Sequence, residues 1–217
     1  LIDRLFRPMF QSGARIEGDQ ITLFEQSGLQ PWAVMAFNNL VMSYVTMAPM
    51  YREMAEVLGL PDSNSDAEEF RLSIPRWPAF ADSVAALKRL KRRFNLVAMT
   101  NSDDWALSHF AKTLDQPFDD LVTAEMVGWN KPDPQVFAFT RGRLSTKGFA
   151  FGDILHVAQS QYHDIAVARR LGYHTCWIER RKGKQGTGAT PTVQKVAIPD
   201  YHFGSLVELA DAADAGE

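Results

Sequence analysis

Cysteine is nearly missing from this chain: Cys176 is the only one, so neither an intrachain disulfide nor a multi-cysteine zinc site can form. No apolar stretch approaches the roughly 20 residues that a membrane-spanning helix needs, and no secretory leader pattern is visible. A cytoplasmic location without a membrane partner is the default expectation. A net charge of -3 leaves no basic excess for an extended nucleic-acid surface. The one compact basic run, Lys88 to Arg93, ends an amphipathic segment whose solvated face it is expected to form. Nucleotide-binding loops are missing too, because neither Gly148 to Gly152 nor Lys182 to Gly188 has a Walker or dinucleotide pattern.

The apolar residues follow two different rhythms. Trp32, Met35, Ala36, Leu40, Tyr44 and Met47 recur at helical spacing, and after Pro49 the apolar face resumes with Met50, Met54, Val57 and Leu58. Asp62 to Glu69 reads as a polar, turn-rich stretch, so residues 10–75 are expected to form a mainly helical insertion. Beyond them, helices are expected at Ser83–Arg93, Trp105–Leu114, Pro134–Arg143, His163–Leu171 and from about Ser205. Strands are expected at Asn95–Met99, Leu121–Thr123, Ile154–Ala158 and His174–Ile178, the last burying Cys176, with a further apolar stretch near Val196. This alternation predicts an α/β fold, a three-layer parallel-sheet Rossmann-like core formed by residues 1–9 and 76–217.

In such sheets, loops and helix N-termini converge at the carboxyl ends of the strands, where ligands bind. Thr100 offers a hydroxyl there and Asn101 an amide, although Ser102 or Asp103 could equally be capping the next helix. Lys131, stiffened by Pro132 and Pro134, could neutralise a carboxylate or a developing anion, or simply solvate a surface. Asp164 stands near a helix start, where it either favours the helix dipole or holds Lys131 in a partly buried ion pair. His156 reads as a core histidine within an apolar strand, whereas His163 is better placed to face a site.

Three segments in order resemble motifs of the haloacid dehalogenase-like hydrolase superfamily. Val97-Ala98-Met99-Thr100-Asn101-Ser102 resembles its second motif, and Trp129-Asn130-Lys131-Pro132-Asp133-Pro134 its third. His156 through Asp164, followed by Leu171-Gly172-Tyr173, resembles its fourth. The helical insertion at 10–75 matches the cap of one branch, and Trp77 to Asp82 resembles the return to the core. Leu1-Ile2-Asp3 resembles the residues that follow the nucleophile motif, which implies a nucleophilic Asp upstream of Leu1; Asp3, with no strand before it, is a poor substitute.

The resemblance divides between two chemistries. Magnesium-dependent phosphatases of the superfamily carry Gly-Asp-Ser-x-x-x-Asp at the fourth motif, where this chain has Gln159 in place of the first acid. A neutral amide weakens a magnesium site, so the expected activity is metal-independent hydrolysis of a short 2-haloacid through an aspartyl ester, with no cofactor and no metal ligand. The alternatives are a magnesium-dependent phosphoesterase and a catalytically silent binding relative. On the dehalogenase reading, Thr100 and Asn101 hold the substrate carboxylate or halide, Lys131 balances charge, and Asp164 orients Lys131 or assists water. Ser160, Tyr162 and His163 are expected to line the pocket, with Arg7 or Arg15 reaching the small anionic substrate from the cap side. A homodimer fits the resemblance.

Overall fold

The computed structural model of the chain describes Tyr51, Ala55, Glu56, Gly59, residues 64–186 and residues 190–216. Apolar four- and five-residue runs form β1 (Val97–Thr100), β2 (Asp120–Thr123), β3 (Leu155–Ala158) and β4 (His174–Ile178), and β5 (Tyr201–Phe203) follows. Between and around them run α1 (Asn64–Arg71), α2 (Ser83–Leu90), α3 (Asp104–Thr113), α4 (Ala124–Val127), α5 (Pro134–Ser145), α6 (Ala166–Arg170) and α7 (Leu206–Ala215). Every strand pairing among the described residues is parallel, with Thr100 opposite Thr123, Ala158 opposite Trp177, and Cys176 opposite Tyr201. This is an α/β, Rossmann-like core.

Among the described residues the strands fall into two sheets, β1–β2 and β3–β4–β5, with no backbone ladder between β1 and β3. Each half has its own apolar packing. Ala86 and Leu90 of α2 and Leu209 and Ala210 of α7 pack on Cys176 and Ile178, alternate residues of β4 that share one face. Val136 and Phe137 of α5 pack with Val167 and Ala168 of α6 and with Tyr173, and Met99 of β1 leans on this second cluster. The Tyr173 hydroxyl donates to the Phe137 carbonyl at 2.8 Å, so the buried phenol is satisfied.

Capping residues bring helix starts to the strand ends. Asp103 accepts the Ala106 N–H at 2.7 Å to open α3, and Thr123 accepts the Met126 N–H at 3.0 Å to open α4. Asp133 accepts the Gln135 N–H at 2.8 Å and Pro134 takes the first position of α5, where its missing N–H costs nothing. After β3 the chain makes a wider turn: Gln161–Ile165 is π-helical, and the Ile165 N–H reaches back five residues to the Ser160 carbonyl at 3.0 Å.

Several expectations are corrected. The stretch Asp62 to Glu69 is not turn-rich throughout, because α1 begins at Asn64 and buries Ala67 and Phe70, three residues apart on one face. The apolar stretch near Val196 leaves that side chain 51% exposed, and a strand that the sequence did not announce lies further on, at Tyr201–Phe203. The helix expected at His163–Leu171 is the π-helical turn followed by α6, and α2 ends at Leu90, before Arg93. Tyr51, Ala55 and Glu56 are helical; residues 1–9 and most of the expected insertion over 10–75 lie outside the described residues. Cys176 is fully buried, and burial pushes its thiol up to about 12. No helix among the described residues is long and apolar enough to cross a membrane.

Candidate active site

The carboxyl ends of β1 and β3 are joined by a buried ion pair. Lys131 Nζ donates to Asp164 Oδ1 at 2.7 Å and to the Met99 carbonyl of β1 at 3.0 Å. His156 on β3 places Nε2 3.1 Å from the same Oδ1, its ring packed against Phe137 and Tyr173. The ion-pair side chains are 11% and 8% exposed, a setting in which a lone charge would be costly. Burial alone would push the Asp164 carboxyl up. The Lys131 charge and the His156 hydrogen bond outweigh it and hold the group well below the usual carboxylate range. His156 was expected to be a satisfied core histidine; it is satisfied, and by the site carboxylate itself.

Asn101 follows β1 and is buried. Its Oδ1 accepts the Lys131 N–H at 2.7 Å and its Nδ2 donates to the Lys131 carbonyl at 2.9 Å, so most of its hydrogen-bonding capacity goes to the lysine backbone. One Nδ2 hydrogen remains for a ligand. Thr100 Oγ1 accepts the Ser102 N–H at 3.2 Å and keeps its own O–H to donate.

The turn after β3 carries Ser160, Tyr162 and His163. Ser160 accepts the His163 backbone N–H at 2.9 Å and lies 3.2 Å from His163 Nδ1, while the Tyr162 ring stands edge-on to the imidazole with centroids 4.9 Å apart. Burial chiefly, and the Lys131 charge, lower the His163 pKa against the opposing pull of Asp164. Gln161, not anticipated as a site residue, is buried and grips Ala197, with Oε1 accepting its N–H at 3.0 Å and Nε2 donating to its carbonyl at 3.3 Å. An amide beside a serine and a histidine gave no sequence signal for that role.

Two buried side-chain polar atoms have no hydrogen-bond partner among the described residues, Ser102 Oγ and His163 Nε2. Both sit on loops that leave the carboxyl ends of strands, β1 and β3, where Thr100, Asn101, Lys131 and Asp164 also gather. Orphaned atoms of this kind call for a ligand or a water. Arg7 and Arg15 lie outside the described residues. Arg71, at the end of α1, is buried, but its guanidinium is held by Glu68 and lies 4.6 Å over the Trp105 ring.

Magnesium prefers hard oxygen ligands in an octahedral shell, and the described residues supply few. Position 159 is an amide, Asp164 Oδ1 already receives Lys131 and His156, and no group of three or more His, Cys, Asp or Glu side chains converges among the described residues. This donor set does not fit a magnesium site.

No family model matches the chain. It is 29% identical over 107 residues to an (S)-2-haloacid dehalogenase of Pseudomonas putida, a match covering 48% of this chain and 45% of that protein. The chain spans about half the length of the curated relatives it matches. Among solved structures it is similar to the L-2-haloacid dehalogenase of Xanthobacter autotrophicus with chloropropionic acid covalently bound. That likeness has a TM-score of 0.66 at 16% identity and covers 91% of this chain and 92% of that one. It is also similar to a magnesium-bound hydrolase of the haloacid dehalogenase-like type from Bacillus subtilis, with a TM-score of 0.67 at 18% identity, covering 97% of this chain and 89% of that one. The structural likeness speaks for the fold. Joined to the ordered motifs and the curated relatives, it supports a place for this chain among haloacid dehalogenase-like hydrolases, near the 2-haloacid dehalogenases.

Proposed function

We propose that the protein hydrolyses the carbon–halogen bond of a short 2-haloacid without a metal. The observation that carries this reading is the buried Lys131–Asp164 pair at the strand ends, with an amide, Gln159, where a magnesium-dependent relative would need a carboxylate. The covalently bound chloropropionic acid in the Xanthobacter enzyme supports the substrate class.

In the proposed reaction an aspartate carboxylate, which the family resemblance puts before Leu1, attacks C2 of the substrate. The carbon–halogen bond breaks and the halide leaves with the bonding pair. Water then adds to the carbonyl of the aspartyl ester, the acyl–oxygen bond breaks, and a 2-hydroxy acid is released with one proton. Lys131 balances the carboxylates that meet in the site, and Asp164 fixes where its charge points. Asn101 holds the lysine backbone in place, and Thr100 turns its O–H to the substrate. Asp164, held so far below its ordinary range, is a weak proton acceptor, so its proposed part is to orient Lys131 and not to activate water. Ser160, Tyr162 and His163 line the pocket, and residues 10–75 form the cap that closes over it, with Arg7 or Arg15 meeting the substrate carboxylate.

The test is halide release from 2-chloropropionate and related acids by the protein with its native amino terminus, with a chelator present. Release is the expected result. Silence across several such acids would remove this substrate class, and chelator-sensitive cleavage of a phosphate ester would replace it with the phosphoesterase reading.

A further inference from the structure

Hydrogen-bond accounting around His163 assigns its proton. The Ser160 hydroxyl accepts the His163 backbone N–H, and His163 Nδ1, at 3.2 Å, is the acceptor within reach of the hydroxyl proton among the described residues. If Ser160 donates to Nδ1, the ring proton sits on Nε2, and one buried group is left without a partner. The opposite tautomer strands two, the Ser160 O–H and the Nε2 lone pair. A stranded buried group forfeits its hydration for nothing, so the first arrangement wins. Burial and the neighbouring Lys131 charge, against the pull of Asp164, disfavour protonation of the ring. His163 therefore presents a buried N–H with no acceptor among the described residues.

What could receive it follows from the charges around it. Among the described residues Lys131 is the cation placed in the site, and Asp164 already balances it at 2.7 Å. Among the described residues, an anionic ligand arriving at the strand ends meets an ion pair of no net charge, and draws there on neutral donors. The Thr100 O–H and the spare Asn101 N–H are two such donors; the His163 Nε2–H is a third, on the opposite strand end. A neutral imidazole kept from protonation can donate to an oxyanion without adding a second buried cation beside Lys131.

We propose that His163 is a substrate-contacting residue whose Nε2–H, held in that tautomer by Ser160, donates to a carboxylate oxygen of the ligand. This rests on the haloacid reading for the identity of the ligand but not on turnover. Propionate, which lacks a leaving group, is therefore the probe. In nitrogen-15 spectra of the protein with its native amino terminus, His163 is expected as the Nε2–H tautomer, with that resonance moving as propionate is added. His163→Phe should weaken propionate binding by about tenfold or more, as expected for one hydrogen bond to a charged acceptor. His163→Gln, which keeps an N–H in nearly the same place, should recover most of it. An Nδ1–H tautomer, equal propionate affinity in the Phe variant, or a shift with chloride and none with propionate would each overturn the assignment. If these binding results hold and no haloacid is turned over, the reaction proposed above falls and the donor stands. If halide is released while His163 ignores propionate, the reaction stands and the donor falls.

Discussion

Asn101 holds Lys131 by its main chain and not by its charge, through a pair of hydrogen bonds of 2.7 and 2.9 Å that bridges loops 30 residues apart. The ammonium is thus delivered to Asp164 by a neutral clamp. Asn101→Ala should leave the Lys131 N–H and carbonyl without these partners and cost about 1–3 kcal/mol, read from urea unfolding. Asn101→Asp keeps the acceptor and loses the donor, so its cost should fall between alanine and the native residue.

Removing one member of the buried ion pair should be harsher. Asp164→Asn leaves the Lys131 charge without its counterion and should cost on the order of 3–5 kcal/mol and, on the haloacid proposal, abolish halide release. A variant as stable as the native protein would show that water already reaches and solvates the lysine.

Asp120 opens β2 and receives Arg143 at 2.8 Å and Lys147 at 2.6 Å, hydrogen bonds that hold its carboxyl well below the usual range despite burial. A depressed folded-state pKa stabilises the protein above the unfolded value, about 3.9, and that contribution is lost as pH falls below it. Asp120→Asn should therefore be less stable than the native chain near neutrality. The gap should narrow as unfolding midpoints are followed below about pH 4.

For His163 the lowered pKa works through the unfolded state, which takes up a proton first as pH drops. The native protein should lose stability from about pH 6.5 downward on this account, and His163→Gln should flatten that part of the profile. Parallel slopes in the two proteins would mean that His163 protonates as readily folded as unfolded.

Gln161 ties the turn after β3 to Ala197, in a segment whose neighbours Val196 and Ile198 are exposed. Gln161→Leu should cost about 1–3 kcal/mol and speed amide exchange at Ala197. Unchanged exchange there would mean that the segment is held by other contacts.

The parallel core was legible wherever a strand was an apolar run. β1, β3 and β4 fall within a residue or two of their expected places because Val97 to Met99, Leu155 to Ala158 and His174 to Ile178 had no competing helical pattern. β5 was missed because Tyr-His-Phe at a sheet edge buries too little to leave a signature, while the apolar Val196 nearby drew attention to a stretch that stays in solvent. α1 was hidden by the polar residues that open it, since only Ala67 and Phe70 mark its buried face.

In the site, pairing with Lys131 was one of two readings of Asp164 near a helix start, and the structure brings the two side chains to 2.7 Å. The partner of His156 could not be read the same way. Its bond to Asp164, eight positions on, depends on the π-helical turn that swings the carboxylate back over the strand. Asn101 was expected to hold the ligand; that most of its amide serves the Lys131 backbone depends on the approach of a loop 30 residues away.

Lys131 reaches Met99 on one half-sheet and, through Asp164, His156 on the other, so the same two side chains rivet the core and equip the site. Buried ion pairs can often be exchanged for well-packed apolar residues with no loss of stability, and sometimes with a gain of about 1–4 kcal/mol. Screening variants of this chain for heat resistance alone would therefore favour greasy substitutions at 131 and 164, and would enrich sturdy proteins that no longer have a charge to offer a substrate. Any effort to harden this protein needs to select for turnover at the same time, because at these two positions endurance and chemistry pull in opposite directions.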